Sequence, residues 1–232
     1  MSKSDYIRES LRKSKSLNHY SLFGSRIPIY IKDDVIFTDN KSSLQDVIEI
    51  VQNSIPSFLI SNVDVIYIGD FSHFEERETN AAYKDGAIYV INIQDNAEDM
   101  ADDIVHEIAH SVEERFGNHI YGDGRLQNEV LGKRERLYQI LKANNENSQE
   151  YKNLFHALEY NAKFDDYLVN KIGYKKLANY INGLFYSPYA ATSVREYFAR
   201  GFEAYFLFKD HNYLAKICPV LYNKLETLAD ME

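Results

Sequence analysis

Two histidines four residues apart with a glutamate beside the first form the part of this chain best equipped for chemistry. They lie in Ile104-Val105-His106-Glu107-Ile108-Ala109-His110-Ser111-Val112, an HExxH pattern. On a helix of about 3.6 residues per turn, His106 and His110 stand one above the other, so two imidazole nitrogens can reach one metal ion. Glu107 is rotated by about 100° from His106, close enough to act on a water at the metal without being a ligand. Ile104, Val105, Ile108, Ala109 and Val112 supply the buried side of the same helix. The chemistry this arrangement suits is metal-assisted activation of water.

The flanking residues predict the helix independently. Asp95 or Asn96 can cap its start, Glu98, Asp99, Asp102 and Asp103 crowd its first turns where the macrodipole favours anions, and Gly117 can end it.

Catalytic zinc takes three protein ligands and leaves a fourth position open, so HExxH alone is incomplete. An extension with Gly at 113 and His at 116 is ruled out, because those positions hold Glu113 and Phe116. Glu113, Glu114 and His119 follow closely, but ligands from one helix cannot surround an ion. The better source is Tyr186-Ser-Pro-Tyr189-Ala-Ala-Thr-Ser193-Val-Arg-Glu196-Tyr-Phe-Ala-Arg200-Gly-Phe-Glu203. Glu196 on a second helix would complete a His₂Glu set, with Glu203 two turns on as its rival. Ser193-x-x-Glu196 also reads as a capping box, in which the glutamate folds back on its own helix start.

The other elements follow from patterning. Residues 1–25 read as a tail or short helix around Tyr6 to Leu17, whose Arg8, Arg12, Lys13 and Lys15 form a basic, solvated face. Ile27 to Phe37 predicts two short strands around Asp33-Asp34. Ser42 or Ser43 caps a helix carrying Leu44, Val47, Ile48 and Val51 and ending before Pro56. Asp64 to Gly69 is a further strand, Phe71 to Ala82 a loop, and Tyr83-Lys84-Asp85-Gly86 a turn into a strand over Ala87 to Ile93. That strand could take a peptide by backbone pairing if it forms the sheet edge. Asn118 to Gly124 reads as a loop. Helical stripes follow at Leu126, Val130, Leu137 and Leu141, at Leu154 and Leu158, from Leu168 to Leu184, and from Leu214 to Leu228. The expectation is an α+β fold with a small mixed sheet and the HExxH helix over residues 26–117 and a mainly helical lobe over residues 118–232.

Composition narrows the partners. The 232 residues, 45% hydrophobic and 26% charged, suffice for a core of ordinary globular kind. A formal net charge of −9 argues against nucleic acid as the main partner. No apolar run approaches the roughly 18 residues of a membrane span, and Met1 to Arg8 has no signal-peptide character, so the expectation is a cytoplasmic protein without a membrane partner. Non-classical export or packaging into a particle leaves no mark of this kind. Cys218 is the single cysteine, which rules out an intrachain disulfide and reads as a small buried residue. Oligomeric state has no signature in the sequence.

The two blocks together resemble the anthrax lethal factor-like zincins, which include the Pro-Pro endopeptidases. The resemblance rests on His106-Glu107-Ile-Ala-His110 and on Tyr189-x6-Glu196-Tyr-Phe-Ala-x-x-Phe202. It implies a zincin-like fold and one Zn²⁺ held by His106, His110 and Glu196. It also implies Glu107 as the base and Tyr189 as the donor to the oxyanion, with Tyr186 in reserve. The implied activity is peptide-bond hydrolysis on a protein or peptide substrate. The chain departs from the family where a second acid tends to follow the ligand by four residues, since Arg200 stands there, and in the long stretch between His110 and Glu196. The competing expectation is a zincin-shaped module without catalysis, part of a larger assembly such as a virion or toxin particle, in which an intact Glu107 has no purpose.

Overall fold

The structure is a computed structural model that describes residues 20–24, 26–71 and 80–231. The basic segment around Tyr6 to Leu17 lies outside them. The protein is mixed α+β, and the chain divides into two compact units, Met1–Val112 and Glu113–Glu232. Among the described residues no helix is long and apolar enough to cross a membrane.

In the first unit, β1 (Tyr20–Leu22), β2 (Ile27–Ile31), β4 (Val65–Ile68), β6 (Ala87–Val90) and β5 (Ala81–Lys84) form one sheet in that spatial order. The β2–β4 and β4–β6 pairs are parallel, and the two outer pairs are antiparallel. Strand periodicity sorts the side chains. Ile29, Ile66 and Ile88 lie in register on the buried face, as do Ile68 and Val90. Tyr30, Tyr67 and Tyr89 lie in register on the other face, their rings stacked at 5.6 and 5.4 Å. Part of the chain's tyrosine richness is thus an aromatic ladder across a sheet face. The short strands β3 (Ile36–Phe37) and β7 (Ile93–Gln94) pair parallel in a separate sheet.

Helix α1 (Leu44–Ser54) starts at Ser43 with a reciprocal capping box to Asp46 and buries Leu44, Val47, Ile48 and Val51, as its spacing predicts. The strands depart from expectation in three places. Tyr20–Leu22, read as tail, is strand β1. Ala81–Lys84, read as loop and turn, is strand β5, because the turn consists of Asp85 and Gly86 alone, both at positive φ (50° and 81°) as a two-residue hairpin of the primed type requires. The strand expected over Ala87 to Ile93 breaks into β6 and β7, and β6 is internal. The edge beside it is β5.

Helix α2 (Ala97–Tyr121) carries HExxH and crosses the boundary between the units. It runs through Gly117 instead of ending there. An interior glycine weakens a helix by only about 1 kcal/mol, and Ile120 beyond it is fully buried. The stop comes at Gly122 to Gly124, where Gly124 has a φ of 70°.

In the second unit every described element is helical. Helix α3 (Arg125–Ala143) buries the predicted Leu126, Val130, Leu137 and Leu141. It also buries the charged Lys133 and Arg134, and carries the half-buried Glu129. Glu129 accepts from the backbone N–H of Val220 and Leu221 at 3.0 and 3.1 Å, capping α8 (Pro219–Ala229), while Lys133 donates to the carbonyls of Leu184 and Ile217. The stripe expected at Leu154 and Leu158 is a 3₁₀ segment, Ser148–His156, whose buried residues are Ser148, Tyr151 and Phe155. The next stripe is split into α4 (Ala162–Asp166), a π-helical turn (Tyr167–Gly173) and α5 (Tyr174–Tyr180). A 3₁₀ turn (Tyr189–Ala191) leads into α6 (Val194–Phe202) and a π-helical turn (Glu203–Leu207). Pro219 breaks the final stripe into α7 (His211–Ile217) and α8.

Candidate metal centre

Asn96 is the residue that caps α2. Its Oδ1 accepts from the Asp99 backbone N–H at 2.8 Å and its Nδ2 donates to Asp99 Oδ2 at 2.9 Å. The cap and the buried Ile104, Val105, Ile108, Ala109 and Val112 fix the helix rotation. His106 and His110 therefore share a face, with ring centroids 4.9 Å apart and planes at 82°.

Glu107 is 8% exposed and its Oε2 accepts from the backbone N–H of Tyr83 at 2.6 Å. Tyr83 belongs to β5, so an amide of the edge strand holds this carboxylate. Neither the residue type of Tyr83 nor its spacing from Glu107 signals the contact, because the donor is main chain. Before the histidines, on the same unit, Gln94, Asp95, Asp99, Asp102 and Asp103 help line an anionic cavity of about 400 Å³.

Glu196 sits in the first turn of α6, where Ser193 Oγ accepts from its backbone N–H at 3.0 Å. The cap expected at Ser193 is therefore present, and the carboxylate of Glu196 belongs to a group that could hold a metal ion. One ligand atom each from His106, His110 and Glu196 lie within 4.8 Å of one another, and the three could hold a metal ion. Two imidazoles and a carboxylate are a donor set that zinc, among other divalent metals, accepts.

The rival ligands are otherwise engaged. Glu203 is 1% exposed and pairs with Arg200 Nη1 at 2.7 Å. Glu113 accepts from the Tyr121 hydroxyl and from Arg195 Nε at 3.1 Å. Glu114 is exposed, and His119 stands outside the group, its backbone carbonyl accepting from Lys224 Nζ at 2.7 Å.

Tyr189 shares an electrostatic environment with Glu196. Burial raises the pKa of its phenol, the negative charges of Glu196 and Asp165 raise it further, and Arg200, 5.7 Å from the ring centroid, opposes them. Tyr189 is therefore a neutral O–H donor at ordinary pH. Tyr186 points its hydroxyl to Asp210 Oδ2 at 3.5 Å. Nothing in the local sequence of Asp165, on α4, distinguishes it from a solvated aspartate. Burial raises its pKa, the Tyr160 hydroxyl bonded to its Oδ2 at 3.2 Å lowers it, and Glu196 raises it again. Cys218 is buried, and burial pushes its thiol up despite Lys133 Nζ at 3.7 Å. An un-ionised buried thiol is a poor nucleophile.

No protein-family model, curated protein or solved structure matches the chain.

Proposed function

We propose that this chain is a zinc-dependent metalloendopeptidase with a zincin-like fold, hydrolysing peptide bonds in a protein or peptide substrate. The observation that carries the reading is the grouping of His106, His110 and Glu196 with a buried glutamate immediately after the first histidine. The likeness of the two sequence blocks to the lethal factor-like zincins supports it. A structural zinc site has no use for a carboxylate at the position of Glu107.

Zinc bound by the three side chains would supply Lewis acidity, polarising a scissile carbonyl and bringing the pKa of water toward about 7. Glu107 is the proton carrier. Its Oε2 is fixed by the Tyr83 amide, so the carboxylate is oriented before substrate arrives. It takes the proton of the attacking water and returns it to the leaving amine. Tyr189, held protonated by its surroundings, donates its hydroxyl hydrogen to the oxyanion as charge develops there.

The test is zinc content of protein purified without added metal, followed by cleavage of an unstructured protein substrate by wild type and Glu107→Gln. One zinc per chain with cleavage lost in the variant upholds the reading. Zinc bound without any cleavage would instead favour a structural or binding module.

A further inference from the structure

Arg134, on α3, is 0% exposed, and its hydrogen bonds go to backbone carbonyls. Its Nε donates to Ala191 O at 2.9 Å and its Nη1 to Ala157 O, while the guanidinium lies 5.0 Å from the ring centroid of Phe164. Burial pushes its pKa down to about 10, which leaves it cationic near neutral pH. Taking such a charge out of water costs several kcal/mol, and neutral carbonyls repay less of that than a carboxylate would. A methionine or leucine would fill the space more cheaply, so the arginine's distinctive contribution is geometric. Its rigid planar fork can fix two carbonyls at once.

One of the two carbonyls, that of Ala191, lies between Tyr189 and Glu196, and the other, that of Ala157, adjoins Leu158, to which that stretch is bonded. Ala191 ends the 3₁₀ turn that begins at Tyr189, and Thr192 closes that turn with its N–H and its hydroxyl on Tyr189 O at 3.0 and 2.8 Å. Ser193 then caps α6 through the Glu196 N–H. The N–H of Val194 donates to Leu158 O at 2.9 Å, next to the Ala157 carbonyl that Arg134 holds. The bonds thus run in a closed circuit from Arg134 to Ala191, along the chain to Val194, across to Leu158, and back through Ala157. Ala190, Ala191, Thr192 and Ser193 are all buried, so water cannot replace a lost bond. Tyr189 enters this circuit and Glu196 leaves it.

We infer that Arg134 is a positioning residue for the site, setting the placement of the Tyr189 hydroxyl relative to Glu196 by clamping the turn between them. The inference rests on the proposed peptidase reading, in which that hydroxyl serves the oxyanion. Lysine cannot substitute, since a single ammonium does not span both carbonyls in the guanidinium's fork geometry.

The experiment is a double-mutant cycle of Arg134→Lys and Arg134→Met with Tyr189→Phe, read by kcat and KM on a cleaved peptide. A second reading uses the NMR signal of ring-labelled Tyr189, identified by its loss in Tyr189→Phe. Each Arg134 variant should lower kcat by roughly tenfold or more, as a displaced catalytic group does, with KM within about twofold. In the Tyr189→Phe background the same substitutions should change kcat by less than about twofold, because the hydroxyl they misplace is already gone. The Tyr189 signal should shift in Arg134→Lys while the thermal midpoint of that variant shows it folded. Equal losses in both backgrounds, or an unmoved Tyr189 signal in folded Arg134→Lys, would overturn the inference. If Arg134→Met does not fold, the lysine variant decides by the same readings. If wild type cleaves nothing, the peptidase reading fails, and the Tyr189 signal alone judges the clamp.

Discussion

The backbone N–H of Tyr83 points at Glu107 Oε2 and donates to it at 2.6 Å, which ties the proposed base to the edge of the sheet. Removing the carboxylate and removing its holder should therefore have related effects. Glu107→Gln keeps size and hydrogen bonding but not basicity, so hydrolysis should fall by about 10²-fold or more, in the range typical of a general base, while zinc stays bound. Tyr83→Pro deletes the donor at a sheet edge, where proline is tolerated, whereas Tyr83→Ala keeps it. Comparison of kcat for the two should show the larger loss in the proline variant. Equal losses would mean that the Tyr83 side chain, whose hydroxyl reaches Asn62 O at 3.2 Å, matters more than its amide.

The ligand assignment separates Glu196 from Glu203 cleanly. Glu196→Ala and His110→Ala should each reduce zinc below one equivalent after dialysis against a weak chelator, measured by elemental analysis. Glu203→Ala should keep the zinc and lose stability instead, because it leaves Arg200 beside an emptied buried site. Removing one partner of such a pair costs about 3–5 kcal/mol when both are buried, and less here since Arg200 retains some solvent contact. A metal-free Glu203→Ala with zinc intact in Glu196→Ala would reverse the assignment.

Tyr189→Phe isolates the hydroxyl. Loss of one oxyanion donor lowers kcat by about 10²–10³-fold, and KM and zinc content should barely move. Since burial and Glu196 raise the phenol's pKa, the group remains a donor through the ordinary tyrosine range. A decline of kcat centred near pH 10 that disappears in Tyr189→Phe would contradict this.

The parts legible in the sequence were those that depend on local spacing. Helix periodicity alone puts His106 above His110, and Ser193-x-x-Glu196 marks a helix start wherever that helix packs. Tertiary packing overrode the rest. Gly117 reads as a stop, but burial of Ile120 outweighs a penalty of about 1 kcal/mol. Ala81-Ala82-Tyr83-Lys84 lacks the β-branched residues of a strand, and pairing with β6 makes it one. The run Lys133-Arg134-Glu135-Arg136 gives no sign that its first two residues are buried, since that depends on carbonyls from distant segments. Main-chain donors such as Tyr83 N–H have no residue-type signature at all.

Alkaline pH should weaken the second unit through Tyr121. Burial first, then the charge of Glu113 and the hydrogen bond to it, raise the Tyr121 pKa above its ordinary value of about 10. The unfolded chain therefore gives up this proton at lower pH than the folded chain does. Below pH 10 both states keep it and its contribution is complete. Above pH 10 the unfolded state binds fewer protons, so stability falls as pH rises, by up to about 1.4 kcal/mol per pH unit for this one group. Buried Tyr167 and Tyr197, whose pKa values are also raised, act in the same direction. Urea unfolding between pH 8 and pH 11 should show a steepening loss beyond pH 10. Tyr121→Phe should be less stable at pH 8, having lost the bond to Glu113, yet should lose less per pH unit above 10. A variant whose slope equals that of wild type would show that Tyr121 ionises in the folded protein as readily as in the unfolded chain.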